Sequence, residues 1–126
     1  MVRIPKQKSM QKRCDELWKQ AINKRDKVCQ RPNCPHCFNQ PGAVLQAHHI
    51  VNRTCWSLRF DIANGVLLCK ASHKFWAHLE DPFIREEVHE FYKSFTNWDY
   101  LRASRHRQSK NDYNLIFMDL LKYLEG

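Results

Sequence analysis

Two groups of side chains in this sequence are of types that do chemistry. The first is built on histidine: His48 and His49 are adjacent, Asn64 lies 15 residues after His49, and His73 and His78 follow. Imidazole serves at neutral pH both as an uncharged metal ligand and as a base. Successive residues of a strand point to opposite sides, so His48 and His49 are poorly placed to grip one ion together, and two distinct jobs suit them better. The second group is thiol. Cys29-x4-Cys34-x2-Cys37 forms a tight knot, and Cys69 follows 32 residues later, a spacing that suits a metal. Six cysteines would also allow disulfides, but the opening MVRIPKQKSMQKRCDELWK has no apolar block of the kind that directs export to an oxidising compartment.

The elements that must position these groups can be read from periodicity. Met10, Cys14, Leu17, Trp18, Ala21 and Ile22 recur at helical spacing, which predicts a basic helix from about Ser9 to Arg25–Lys27, with Cys14 as a small buried hydrophobe. Cys29 to Gly42 is rich in Pro, Asn and Gly and reads as a loop. A short strand is expected over Ala43–Val51 and a second over Val66–Cys69. Between them runs a polar stretch, and Asn64-Gly65 is a turn signal at its end. A short helix is predicted over Ser72–Leu79. Asp81-Pro82 then reads as an N-cap followed by Pro at the first helical position, with Phe83, Ile84, Val88, Phe91, Tyr92 and Phe95 as the buried stripe. A basic linker with Arg102, Arg105, Arg107 and Lys110 leads to a last helix capped by Asp112.

Residues 47–78, AHHIVNRTCWSLRFDIANGVLLCKASHKFWAH, resemble the HNH nucleases, whose shared unit is a two-stranded hairpin and a helix closed on one metal ion, the ββα-metal or His-Me finger. The likeness rests on His48-His49, Asn64 and His73, covers about residues 29–80, and is phage-like in the wording RFD at 59–61 and FWAH at 75–78. It implies an α+β domain, a ββα-metal finger with a zinc-stapled hairpin wrapped by three helices. By the same resemblance His48 is a ligand of a catalytic divalent ion (Mg²⁺, Mn²⁺, Ni²⁺ or Zn²⁺), His49 is the general base, and Asn64 holds the loop that orients His49. His73 is the helix ligand. The family's second helix ligand stands four residues on, where this chain has Ala77, so His78 is a ligand only if the helix is distorted. Many family members also hold a structural zinc with two Cys-x2-Cys pairs. Cys34-x2-Cys37 is the first pair and Cys69 opens the second, but Ser72 stands where its last thiol belongs. Serine is a poor zinc donor. The fourth ligand is then expected to be Cys29, with His36 as the substitute, while Cys55 receives no role.

Charge points to the partner. The chain has 126 residues and a net charge of +8, and residues 1–31 alone hold ten Lys/Arg against three Asp/Glu. That length suits one domain, 1–126, divided into a basic helix (1–28), the zinc-stapled core (29–80) and a helical remainder (81–126). A basic N-terminal third on a balanced body suits a polyanion, and the expected partner is DNA, with Arg53 and Arg59 beside the passing phosphate. No run of residues is apolar enough for a membrane span, and no Gly-rich phosphate loop is present. The expected location is the cytoplasm, that of the host if the chain is phage-encoded. A single metal centre that cuts both strands needs a dimer or two visits.

Overall fold

The computed structural model describes residues 7–107 and 111–126; Lys110 of the predicted basic linker lies outside them. Helix α1 runs from Gln7 to Asp26. It contains no Pro or Gly, and Met10, Cys14, Trp18, Ala21 and Ile22 form its buried stripe, with the Cys14 thiol against the Tyr113 carbonyl. Lys27 ends the helix by taking a left-handed conformation, φ 67°. Strands β1 (Leu45–His49) and β2 (Gly65–Cys69) pair antiparallel, with His48 opposite Val66 and His49 opposite Gly65.

Strand β2 is buried along its whole length because both its faces are covered. Val66 and Leu68 face a core with Trp76, Val88 and Tyr92, while Leu67 faces Trp18, Ala21, Ile22 and Leu120. The two-residue period of a strand therefore divides the molecule into two cores, one on each side of the sheet. The outer edge of β2 is covered as well. The Leu67 N–H donates to Asp26 Oδ2, the Leu67 carbonyl accepts from the Gln30 N–H, and the Gly65 carbonyl accepts from Arg25.

Beyond β2 the chain makes one α-helical turn, α2 (Lys70–Ser72), and continues as a π-helical turn over His73–Ala77. Helix α3 (Pro82–Phe95) begins as expected, with the Asp81 carboxylate accepting from the Phe83 and Ile84 N–H groups. Its stripe is narrower than predicted, since Phe83 is 80% exposed. The predicted basic linker contains a further helix, α4 (Trp98–Ser104), capped by Asn97. Its seven residues hold only Trp98, Tyr100, Leu101 and Ala103 as apolar or aromatic positions, too short a run for a periodicity to stand out. Among the described residues four helices thus flank the hairpin and its helical turns, where three were expected. Helix α5 (Tyr113–Glu125) is capped by Asp112 and packs on α1, with Lys24 donating to the Leu124 carbonyl in its last turn.

The Asn64-Gly65 pair is not a hairpin turn. Asn64 closes a 3₁₀ turn over Ile62–Asn64, and Gly65 has an ordinary extended φ of −126°. Glycine is needed there for space: a Cβ would lie 2.4 Å from Ile22 Cδ1 and 2.6 Å from Trp18 Cζ2.

Candidate metal centre

Four thiols meet below the hairpin. The sulfur atoms of Cys29, Cys34, Cys37 and Cys69 all lie within 4.8 Å of one another, brought together from the 29–42 loop and the end of β2. The loop curls back through left-handed residues at Asn33, Phe38 and Asn39. Asn39 secures it by donating to the Cys29 and Arg31 carbonyls. A tetrahedral zinc with Zn–S of ~2.3 Å needs sulfurs ~3.8 Å apart; Cys34 and Cys69 are 3.7 Å apart. The donor set therefore fits a structural zinc, with Cys29 in the fourth position.

Ser72, where a second pair would have placed its last thiol, hydrogen-bonds the sulfurs instead. Its hydroxyl is 3.1 Å from Cys34 Sγ, and its N–H donates to Cys69 Sγ. Burial raises the Cys34 thiol, but the bonds from Ser72 and from the Cys37 and His36 N–H groups outweigh it and bring it down to about 6. Burial pushes Cys29 up to about 12, a penalty that a coordinated cation reverses because it deprotonates the thiol.

The histidines build a second, more open site. His48 on β1 and His73 and His78 at the π turn bring their ligand atoms within 4.8 Å of one another. The π turn is what allows this. On an α-helix positions five apart are ~140° out of line, whereas a turn bonded i to i+5 brings them back together, and His73 Nε2 and His78 Nε2 are 3.0 Å apart. Each deeper ring has a second polar partner. His73 Nδ1 donates to Gln46 Oε1 at 2.6 Å, which leaves the Nε2 lone pair for a cation. His48 Nε2 is 2.8 Å from the Tyr92 hydroxyl. Burial, with His73 and His78 nearby, lowers His48 to about 3, and burial also lowers His73. Both rings are accordingly neutral at pH 7, as metal ligands must be, and the set fits a divalent ion.

His49 faces the other way, as the alternation of a strand requires. Its ring stacks on Trp18 with centroids 3.9 Å apart and planes 5° from parallel. Nε2 is 3.0 Å from the Arg59 carbonyl; a carbonyl only accepts, so Nε2 carries the proton and Nδ1 has the free lone pair. Burial lowers its pKa, and the Arg59 carbonyl partly offsets this. Asn64, fully buried, ties the intervening loop together. It accepts from the Val51 N–H at 2.7 Å and donates to the Val51 and Leu58 carbonyls.

A cleft of about 550 Å³ opens over these groups, lined by all four histidines and by Lys19, Arg53 and Arg85. Arg53 is thus at the cleft. Arg59 is not among its lining residues: Nε and one terminal nitrogen of its guanidinium donate to the two Asp15 carboxylate oxygens, at 2.9 and 2.8 Å, and it lies over the Trp56 ring. The pairing with Asp15 is the physical reason Arg59 does not present a free charge to the cleft. Sequence reasoning missed Gln46, Tyr92, Lys19 and Arg85. Gln46 could have been found, since it stands two residues before His48 and so on the same strand face. Tyr92 was absorbed into an apolar stripe, and Arg85 carried no signal.

No family model matches this chain, and neither does any curated protein or solved structure. What the coordinates establish is a small α+β arrangement with a β-hairpin, flanking helices and two clusters able to chelate metal, one of four cysteines and one of three histidines. Among the described residues no helix is long and apolar enough to cross a membrane.

Proposed function

We propose that this chain is a metal-dependent endonuclease of the HNH type that hydrolyses DNA phosphodiester bonds. One observation carries the reading: three histidine ligand atoms converge in a cationic cleft beside a fourth histidine whose Nδ1 alone is free. In this reading His49 Nδ1 accepts the proton of the attacking water, and the resulting imidazolium keeps its Nε2–H on the Arg59 carbonyl. Lys19, Arg53 and Arg85 meet the charge that grows on the phosphate oxygens. A divalent cation bound by His48, His73 and His78 would supply further positive charge at the phosphate and at the leaving oxygen. Asn64 fixes the loop that carries the Arg59 carbonyl, and the four cysteines with zinc hold the 29–42 loop to the end of β2. By family resemblance the products carry 5′-phosphate and 3′-hydroxyl ends.

The test is cleavage of supercoiled plasmid with Mg²⁺ or Mn²⁺. Nicked circles are expected to precede linear DNA, because one centre cuts one strand at a time. His49→Ala is expected to lower the nicking rate by about 10²–10⁴-fold, the usual worth of a positioned base. Undiminished nicking by His49→Ala removes the mechanism. Tight DNA binding without cleavage under any divalent ion would make the chain a zinc-stabilised binding module instead.

A further inference from the structure

We infer that helix α1, beyond carrying positive charge, is the positioning element of the base: Trp18 and the Asp15–Arg59 pair together hold His49 with Nδ1 free to take a proton. The inference rests on the nuclease reading for what that proton does, while the geometry stands without it.

One direct contact and one relayed through Arg59 reach His49 from α1. Trp18 covers one face of the imidazole, stacked within 5° of parallel. It is itself fixed, 1% exposed and with Nε1 donating to the Asp61 carbonyl at 2.9 Å. The space it occupies exists because the residue opposite His49 in the sheet is Gly65, where a Cβ would lie 2.6 Å from Trp18 Cζ2. The second contact is indirect. Arg59 presents its carbonyl to His49 Nε2 and its guanidinium to Asp15, and the two oxygens of Asp15 take Nε and one terminal nitrogen. A two-point fork of this kind fixes direction as well as distance. Asp15 and Trp18 are three residues apart and so neighbours on one helix face.

Each contact removes one freedom of the ring. A neutral imidazole without a fixed acceptor populates both tautomers, and one of them puts N–H where the lone pair is needed. The Arg59 carbonyl removes that alternative, and the Trp18 stack removes rotation of the ring out of its plane. A helix serving only as core would need an apolar surface under Trp18, not a titratable ring bonded at its edge. Asp15 and Trp18 are thus positioning residues that act through His49.

The test reads the ring directly. In ¹⁵N-labelled, zinc-loaded protein at neutral pH without DNA, long-range proton–nitrogen spectra should show His49 as the single Nε2–H tautomer. Asp15→Asn and Trp18→Leu should each turn it into a mixture, while Trp18→Phe, which keeps a stacked ring, and Asp15→Glu, which keeps a carboxylate, should largely restore it. In plasmid nicking the disrupting variants should lower kcat about tenfold to hundredfold and leave KM unchanged. An unaltered Nε2–H tautomer in Asp15→Asn and Trp18→Leu overturns the inference, as does a loss confined to KM. If Trp18→Leu does not fold, the comparison of Asp15→Asn with Asp15→Glu decides. Wild-type protein that leaves plasmid intact sinks the nuclease reading alone, since the spectra are recorded without substrate.

Discussion

Asn64 shows how much one side chain can carry when it is fully buried. Its amide makes three bonds to the main chain, two to Val51 and one to Leu58. Truncation to alanine removes the partner of the buried Leu58 carbonyl and of the half-buried Val51 N–H and carbonyl, at about 1–3 kcal/mol for each group left unsatisfied. Asn64→Ala is therefore expected to lose about 2–4 kcal/mol in urea unfolding, with partial relief where the loop opens to water. Nicking should fall with it, because the loop also carries the carbonyl that holds His49. The Asn-Gly pair alone reads as a turn; the loop-bonding amide of Asn64 was legible only through its place after His49 in the resemblance to the HNH nucleases. The need for Gly65, which makes room for Trp18 and Ile22, was not legible at all. Arg59 shows the same limit. Its place in the sequence between His49 and Asn64 suggested a phosphate contact, but the partner that takes its charge is Asp15, 44 residues away.

At the scale of elements, periodicity told most where a segment is long and one-sided. Helix α1, the capped starts of α3 and α5, and both strands could be read because burial repeats along them. The alternation of β1 accounts for the opposite facing of His48, against Tyr92, and His49, against Trp18. The π turn over His73–Ala77 was legible only as an anomaly, a ligand one residue too far along. Such a turn has the geometry of one residue inserted into an α-helix. Deleting Phe75, which is 56% exposed, should relax the turn to α-helix and leave the two histidines four apart on one face. Mn²⁺ or Co²⁺ titration of the three-histidine site, followed by calorimetry or by the cobalt absorption band, is expected to show binding retained. Binding lost in this variant while the fold persists would mean that the turn does more than restore spacing. Helix α4 was missed because a seven-residue helix contributes too few buried positions to form a pattern.

For the whole molecule, the four cysteines set a condition on stability. Among the described residues the sheet has two strands, and a lone hairpin is marginal in water. The loop before β1 is joined to the end of β2 at the sulfur cluster. Elemental analysis should find about one tightly held zinc per chain, and chelation or Cys29→Ser should lower the melting temperature by many degrees, since metal binding and folding are coupled. Chelation that leaves the melting temperature unchanged would count against a structural metal. A different consequence follows from the flank of β2. Unpaired strand edges are templates on which other chains zip up, and small two-stranded proteins are exposed to that hazard. Here Arg25, Asp26 and Gln30 occupy the free backbone groups of Gly65 and Leu67, so no foreign strand can extend the ribbon from that side. Any self-association that brings two centres to opposite strands of a duplex must therefore use some surface other than this edge.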